Sequence, residues 1–147
     1  MREDERFYLL TADLGYYLLD EIREEFPLRF FNVGASEQFL VGAGVGLALS
    51  GKIPICYSIT PFLLCRPFEI IRNYLNHEKI PVKLIGGGRG KDYGMDGFTH
   101  WAEDDDAIIR LFPNIQNFRP ETQEDLDNHL ERLLLKDAPV YINVSKK

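Results

Sequence analysis

The sequence predicts an α/β fold: a doubly wound, mainly parallel six-stranded sheet with helices on both faces. Three observations favour it. Short apolar runs typical of buried strands alternate with segments of helical periodicity along the whole chain. The chain has 147 residues, of which 45% are hydrophobic and 27% charged, as in one globular domain. No repeat, low-complexity tract or linker interrupts the alternation, so we expect a single domain over residues 1–147.

The N-terminal segment begins with a strand, a helix and a second strand. Residues 6–11 (RFYLLT) are a short apolar run, which predicts strand 1, and a turn follows at residues 13–15. Residues 16–26 carry apolar side chains at helical spacing with acidic side chains opposite them, which predicts an amphipathic helix that Pro27 ends. Residues 29–33 predict strand 2.

A glycine-rich helix follows strand 2 and begins near Ala35, with Ser36 as the candidate N-cap. It is apolar on most sides, so we expect it to be buried. Gly42, Gly44 and Gly46 each cost roughly 1 kcal/mol in a helix relative to alanine. We therefore expect another segment or another protein to approach its backbone closely, above all on the face that Gly42 and Gly46 share.

The remaining elements continue the alternation. Residues 53–59 (IPICYSI) predict strand 3, and residues 62–76 predict a helix with Pro67 near its first turn. Residues 82–85 predict strand 4, and residues 86–99 form a long glycine-rich loop without periodicity. The predicted C-terminal elements are a helix at 104–112, strand 5 at 115–118, a helix at 122–136 with Thr122 as N-cap, and strand 6 at 140–144.

Charge and targeting signals exclude several functional classes. With 17 basic and 23 acidic residues the net charge is −6, so the chain has no basic footprint for nucleic acid or anionic lipid. The charged N-terminus is no signal peptide, and no apolar run reaches transmembrane length. Cys56 and Cys65 lack metal-ligand spacing, and the pattern around Cys56 is typical of a small buried hydrophobe. We expect no metal site within the chain and a cytoplasmic location.

Glu37 is the main candidate functional residue. It falls in the first turn of the apolar glycine-rich helix, where it would meet the partial positive charge and free N–H groups of the helix start. A glutamate at that place is often only a capping carboxylate. A carboxylate in an apolar setting is also a candidate for acid–base chemistry. The residue pattern alone leaves both interpretations open.

The other candidate residues also follow strand ends. In doubly wound sheets, sites form at the carboxyl ends of the strands. Asp13 follows strand 1, Glu37 strand 2 and Phe62 strand 3, while the loop at residues 86–99 follows strand 4. We therefore expect these four loops to share one rim. A single phenylalanine such as Phe62 can instead be ordinary core packing.

The long loop carries further candidates and ends at His100. Its glycines match neither the P-loop pattern nor the dinucleotide fingerprint. Arg89 and Lys91 could hold a phosphate or carboxylate, although a solvated loop explains the composition equally well. A histidine at the end of such a loop can donate to substrate oxygens, or it can be a structural residue.

Taken together, these motifs resemble the pyrimidine-binding domain of transketolase-like thiamine diphosphate enzymes, the group of transketolase and 1-deoxy-xylulose-5-phosphate synthase. The resemblance covers nearly the whole chain. It is carried by TADLG at 11–15, RFFNVGASEQ at 29–38, GLALSGKIPI at 46–55, YSITPFL at 57–63, RPFEIIRN at 66–73, IPVKLIGGG at 80–88 and DGFTH at 96–100.

The resemblance implies a role for each candidate. Glu37 matches the glutamate that hydrogen-bonds N1′ of the cofactor's aminopyrimidine and activates the cofactor. Phe62 matches the aromatic residue that stacks on that ring. His100 matches a histidine that contacts substrate oxygens, and we expect it to be a catalytic residue together with Glu37. Ser58 and Arg66 are assigned to the cofactor site, although the family has an arginine or aromatic residue at Cys65 in some members. Asp13 lies in the family's ADLG-type turn, which implies a place at the subunit contact or at the substrate rim. Arg89, which the loop composition offers as an anion-binding residue, is also expected to contact the substrate.

The resemblance also implies a partner. The family's GDG…N motif, which holds diphosphate and a divalent metal, does not occur here, and neither does the family's third domain. We therefore expect a separate diphosphate-binding subunit that supplies most of the Mg²⁺ contacts, in an α2β2 complex or at least a homodimer. The expected donors are ketoses, ketose phosphates or 2-oxo acids. Two alternatives remain: a non-catalytic scaffold that binds such a partner, and a generic nucleotide-binding module.

Overall fold

The computed structural model describes residues 1–146 and contains one six-stranded sheet. Its strand order is β2-β1-β3-β4-β6-β5, and every neighbouring pair is parallel. The strands are β1 (Phe7–Thr11), β2 (Phe30–Asn32), β3 (Ile53–Ile59), β4 (Lys83–Gly87), β5 (Gln116–Phe118) and β6 (Val140–Val144). The predicted parallel α/β sheet is confirmed.

Helices connect these strands. They are α1 (Asp20–Glu25), α2 (Glu37–Leu49), α3 (Thr60–Cys65), α4 (Phe68–Ile70), α5 (Asp105–Ile109) and α6 (Gln123–Leu135). Helix α4 runs directly into a π-helical segment, Ile71–His77. The long loop after β4 contains two short 3₁₀ turns, Gly94–Asp96 and Phe98–His100. No helix among the 146 described residues is both long and apolar enough to cross a membrane.

Alternate strand residues fill two separate layers of core, as the period-two geometry of strands requires. Leu10, Cys56, Leu84 and Tyr141 are buried in the larger layer together with Leu40 and Val41 of α2 and Leu63 and Leu64 of α3. On the opposite face, Leu9 and Ile55 pack with Ile22 of α1, and Ile142 packs with Leu133 of α6. Helices therefore cover both faces, and full burial of each large aliphatic side chain contributes about 1.5–3 kcal/mol.

Two helices differ from the sequence prediction. The first begins at Asp20, because Tyr17 has a φ of +67°, outside the helical region, and its side chain is 92% exposed. The helix predicted at residues 62–76 is divided at Arg66 and Pro67 into α3 and α4. Pro67 has no N–H group with which to continue the helical ladder, which accounts for the break.

The close approach predicted for the glycine-rich helix occurs at Gly44. A Cβ atom built on Gly44 would lie 2.7 Å from Cys56 Sγ and 3.3 Å from Val82 Cγ1, so only glycine lets α2 sit this close to β3. No described segment of this chain approaches the face of Gly42 and Gly46 closely, and an approach by another protein to that face stays a prediction. Within this chain a Cβ at Gly46 would have no neighbour within 4 Å, and one at Gly42 would meet only Ile70 Cδ1, at 3.8 Å.

The two predicted helix caps have different outcomes. Thr122 caps α6 as expected, because its Oγ1 accepts from the Asp125 N–H at 3.0 Å. Ser36 is the N-cap residue of α2, but its side chain makes no capping hydrogen bond. The start of α2 is instead organised around the side chain of the following residue, Glu37.

Candidate functional site

Glu37 is buried at the first residue of α2, with only 2% of its surface exposed. Ser58 Oγ donates to Glu37 Oε1 at 3.0 Å, and Arg66 Nη1 donates to Oε2 at 2.6 Å. Ser58 lies on β3 and Arg66 directly after α3, so both donors reach the carboxylate from neighbouring elements. The two carboxylate oxygens thus accept from side chains rather than from first-turn N–H groups, unlike a capping glutamate.

Phe62 lies in α3, one turn before Arg66. The Arg66 Cζ is 3.9 Å from the centroid of the Phe62 ring, a cation–π contact. The arginine side chain is 45% exposed, in contrast to the buried carboxylate that it pairs with. A flat aromatic face and a buried carboxylate are therefore held next to each other by one guanidinium.

His100 approaches the same aromatic ring from the long loop. The centroid of the His100 ring is 4.8 Å from that of Phe62, at an interplanar angle of 70°. The centroid of the Tyr93 ring, which belongs to the same loop, is 6.1 Å from that of His100. Its Nδ1 is 3.0 Å from Thr99 Oγ1. Gly97, with a φ of +82°, lets the chain turn before the last 3₁₀ segment delivers His100.

The structure thus joins five of the predicted site residues in one series of contacts. The order is Ser58, Glu37, Arg66, Phe62 and His100, and the residues come from β3, α2, α3 and the loop after β4. They meet at the carboxyl ends of parallel strands, where doubly wound sheets place their sites. We call these five residues the Glu37 cluster.

Asp13 is the predicted residue at the end of β1. It has a φ of +53°, and its carboxylate accepts from the Tyr16 hydroxyl at 2.5 Å. Its backbone N–H donates to Asn32 Oδ1 at 3.0 Å, and the same oxygen accepts from the Gly34 N–H. Asp13 therefore ties the end of β1 to the end of β2, and its predicted contact with substrate stays a prediction.

Arg89 points into the protein. Its Nε donates to Asn143 Oδ1 at 2.8 Å, and its Nη2 donates to Pro120 O at 2.8 Å and also to Asn143 O. Burial, the largest cause, lowers the pKa of Arg89 from its usual value. These contacts favour a structural role in holding the start of the loop, and the predicted substrate contact stays a prediction.

Asn143 is a residue that the sequence reasoning missed. It is fully buried on β6, and its Nδ2 donates to Thr60 Oγ1 at 2.9 Å and to Gly88 O at 3.1 Å. Thr60 begins α3, which carries Phe62, and Gly88 begins the loop that carries His100. The only signal in the sequence is one amide within an otherwise apolar strand.

A partly buried ion pair adjoins this network, because Asn143 Nδ2 also donates to the Tyr141 hydroxyl at 3.1 Å. Arg119 Nη1 donates to both carboxylate oxygens of Asp105, at 3.0 and 2.9 Å, and the Tyr141 hydroxyl donates to Asp105 Oδ2 at 3.3 Å. Burial, the largest cause, raises the pKa of Tyr141 above its usual value, so the hydroxyl keeps its proton and can donate. Among residues 1–146 no group of three or more His, Cys, Asp or Glu side chains is placed to hold a metal ion.

Comparison with known proteins places this arrangement in context. The family model described as "Transketolase, pyrimidine binding domain" matches residues 1–147. A putative transketolase C-terminal section from Methanocaldococcus jannaschii is 35% identical over 144 residues, which are 97% of this chain and 46% of the relative. One subunit of an apulose-4-phosphate transketolase from Actinobacillus succinogenes is 37% identical over 124 residues, which are 84% of this chain and 40% of the relative.

The fold agrees with a solved structure of similar sequence. That protein is described as a split gene transketolase, inactive beta4 tetramer. It superposes with a TM-score of 0.86 at 33% identity, over 99% of this chain and 47% of the other. The chain therefore spans about half the length of the relatives that it matches, or less.

Proposed function

This chain belongs to the transketolase pyrimidine-binding domain family, and from that premise we propose that it is one subunit of a split, thiamine diphosphate-dependent transketolase-like enzyme. The observation that supports this most is the Glu37 cluster. A scaffold needs no buried carboxylate beside an aromatic face that also contacts a histidine. An enzyme that activates an aminopyrimidine needs the carboxylate and the aromatic face, and a histidine beside them can contact the substrate.

The residues present fit the aminopyrimidine part of thiamine diphosphate. The Glu37 carboxylate is fixed by Ser58 Oγ at 3.0 Å and can share a proton with a ring nitrogen. The Phe62 ring supplies a flat face for stacking. We assign the diphosphate and Mg²⁺ to a partner subunit, because the family holds both through a GDG…N motif that is not found in this sequence.

The proposed mechanism divides the work between cofactor and chain. When bound, thiamine diphosphate supplies the nucleophilic carbon for cleaving or forming carbon–carbon bonds. In this chain, Glu37 holds or releases the proton at N1′ of the ring, and Phe62 orients the ring. His100, which lies 4.8 Å from Phe62, donates to an oxygen of the substrate. The buried network of Asn143 and Thr60 holds the elements that carry Phe62 and His100.

We propose that the partner is a diphosphate-domain subunit and that the assembly is an α2β2 complex or at least a homodimer, located in the cytoplasm. The name of one relative, a subunit of an apulose-4-phosphate transketolase, supports a place in a larger enzyme. The proposed donors are ketoses, ketose phosphates or 2-oxo acids. We also propose that residues 1–147 form a single pyrimidine-binding domain and that the diphosphate-binding site lies in the partner subunit.

The test is co-expression with a candidate diphosphate-domain subunit, followed by an assay with thiamine diphosphate, Mg²⁺ and a ketose phosphate donor. Glu37→Gln should abolish turnover and retain co-elution with the partner. Glu69→Gln, a matched change of an exposed glutamate on α4, should leave turnover unchanged. Co-elution with equal turnover in wild type and Glu37→Gln would favour the scaffold, and failure to co-elute would overturn the split-enzyme proposal.

A further inference from the structure

Arg66 makes two contacts at once, and they are the same two contacts that the proposed function assigns to the aminopyrimidine ring. Its Nη1 donates to Glu37 Oε2 at 2.6 Å, and its Cζ lies 3.9 Å from the centroid of Phe62. A distance of 3.9 Å is van der Waals contact, so no second planar group fits between the guanidinium and the ring. On this face of Phe62, the position beside Glu37 is already filled.

A guanidinium resembles an aminopyrimidine in the features that this site can recognise. It is planar and delocalised, it presents N–H donors in its own plane, and it stacks on aromatic faces. Accepting the proposed function, we infer that Arg66 is an internal substitute for the cofactor's aminopyrimidine. It occupies Glu37 Oε2 and the Phe62 face in the free chain, and the cofactor ring displaces it.

The burial of Glu37 explains why a substitute is useful. The carboxylate is 2% exposed, and Ser58 supplies a donor to Oε1 alone. An ionised carboxylate at this depth is unfavourable unless it is paired. Arg66 provides the second donor and the compensating charge, so the site is preformed before any cofactor arrives.

The exposure of Arg66 explains how the substitute can leave. Its side chain is 45% exposed, and the residue follows the last turn of α3. The guanidinium can move into water by side-chain rotation, without a change in the helix. Ser58, by contrast, is fully buried on β3 and stays in place as the permanent partner of Glu37.

The experiment measures binding of the hydroxymethyl aminopyrimidine that corresponds to the pyrimidine half of the cofactor. Calorimetry at slightly alkaline pH measures the affinity of the 147-residue chain for this probe, in wild type and in Arg66→Met. The methionine keeps an apolar side chain but removes the guanidinium that competes with the probe. We expect Arg66→Met to bind this probe about tenfold more tightly, equivalent to about 1.4 kcal/mol. Arg72→Met is the matched control, because Arg72 is an exposed arginine whose Nη1 donates to Asn73 Oδ1, and it should bind like wild type.

A second measurement uses the wild-type chain alone, in case Arg66→Met does not fold. Saturation with the probe should move the guanidinium NMR resonances of Arg66 towards those of a solvent-exposed arginine such as Arg72. Unchanged resonances at saturation would overturn the inference.

The outcomes separate this inference from the proposed function. If wild type binds the probe, Glu37→Gln does not, and Arg66→Met binds equally or more weakly, then Arg66 supports the ring rather than replacing it, and only the inference fails. If neither wild type nor Arg66→Met binds the probe, both the inference and the assignment of Glu37 to the aminopyrimidine fail.

Discussion

Asn143 Nδ2 donates a hydrogen bond to Thr60 Oγ1 at 2.9 Å, across a sequence separation of 83 residues. The bond joins the last strand of the sheet to the first residue of α3, and the same amide also donates to Gly88 O, at the start of the loop. Thr60 and Asn143 are both fully buried, so water cannot replace a missing partner.

We therefore predict that Asn143→Ala lowers the free energy of unfolding by about 2–4 kcal/mol. The change removes the four side-chain hydrogen bonds of Asn143, so the hydroxyls of Thr60 and Tyr141, the Gly88 carbonyl and the Arg89 Nε each lose a partner. Urea unfolding of the purified chain measures it. Asn117→Ala, at an exposed position on the edge strand β5, is the control and should cost less than about 0.5 kcal/mol. Equal losses of unfolding free energy in the two variants would show that the buried hydrogen bonds of Asn143 do not stabilise the fold.

The second prediction sets two glycines of α2 against each other. Gly44→Ala should destabilise the chain by about 1–3 kcal/mol, because the new methyl group would lie 2.7 Å from Cys56 Sγ. Gly46→Ala should stabilise it by about 0.5–1 kcal/mol, because alanine favours the helix and meets no neighbour within 4 Å. Thermal unfolding of the chain without a partner gives both signs. A destabilising Gly46→Ala would mean that the open face of α2 is covered in the chain alone.

Much of the fold, but only part of the candidate site, could be predicted from the sequence. Strands β3 and β6 have the predicted bounds, because each is an apolar run that begins directly after a polar turn or bend. The contact between Phe62 and His100 depends on the path of a loop with no periodic signal, so the residue pattern alone did not supply it. The place of the Arg66 guanidinium between Glu37 and Phe62 depends on the rotamer of a long side chain, which no residue pattern specifies.

The third prediction concerns pH and Lys83. This side chain is buried under the end of α6, where its Nζ donates to Ala138 O at 2.6 Å and to Lys136 O. Burial, the largest cause, lowers the pKa of Lys83 from 10.5 to about 8. Between these two values the unfolded chain binds more protons than the folded one, so the Lys83 contribution to stability rises with pH.

The comparison of wild type with Lys83→Met isolates that contribution. From pH 8 towards pH 9.5 the stability of wild type should increase relative to the variant, by less than about 1.4 kcal/mol per pH unit. Other groups that titrate in this range are common to both proteins and cancel in the difference. The measurement is the denaturant midpoint of wild type and of Lys83→Met at three pH values in this range. Parallel curves would mean that the two carbonyl hydrogen bonds hold the proton on Lys83 as firmly as water does.

The last prediction concerns His100 in the complex reconstituted with its partner, and it depends on the proposed function. His100→Ala should lower kcat/KM by about 10- to 100-fold, the loss expected for one hydrogen bond to a substrate oxygen. The affinity for thiamine diphosphate should change by no more than about twofold, because Glu37 and Phe62 remain. His77→Ala is the matched control, since that side chain is 82% exposed at the end of the π-helical segment. Steady-state kinetics with separate titrations of donor and cofactor distinguish the two effects. If His100→Ala instead loses cofactor affinity in proportion to kcat/KM, then His100 acts by packing against Phe62 and holding it against the aminopyrimidine ring.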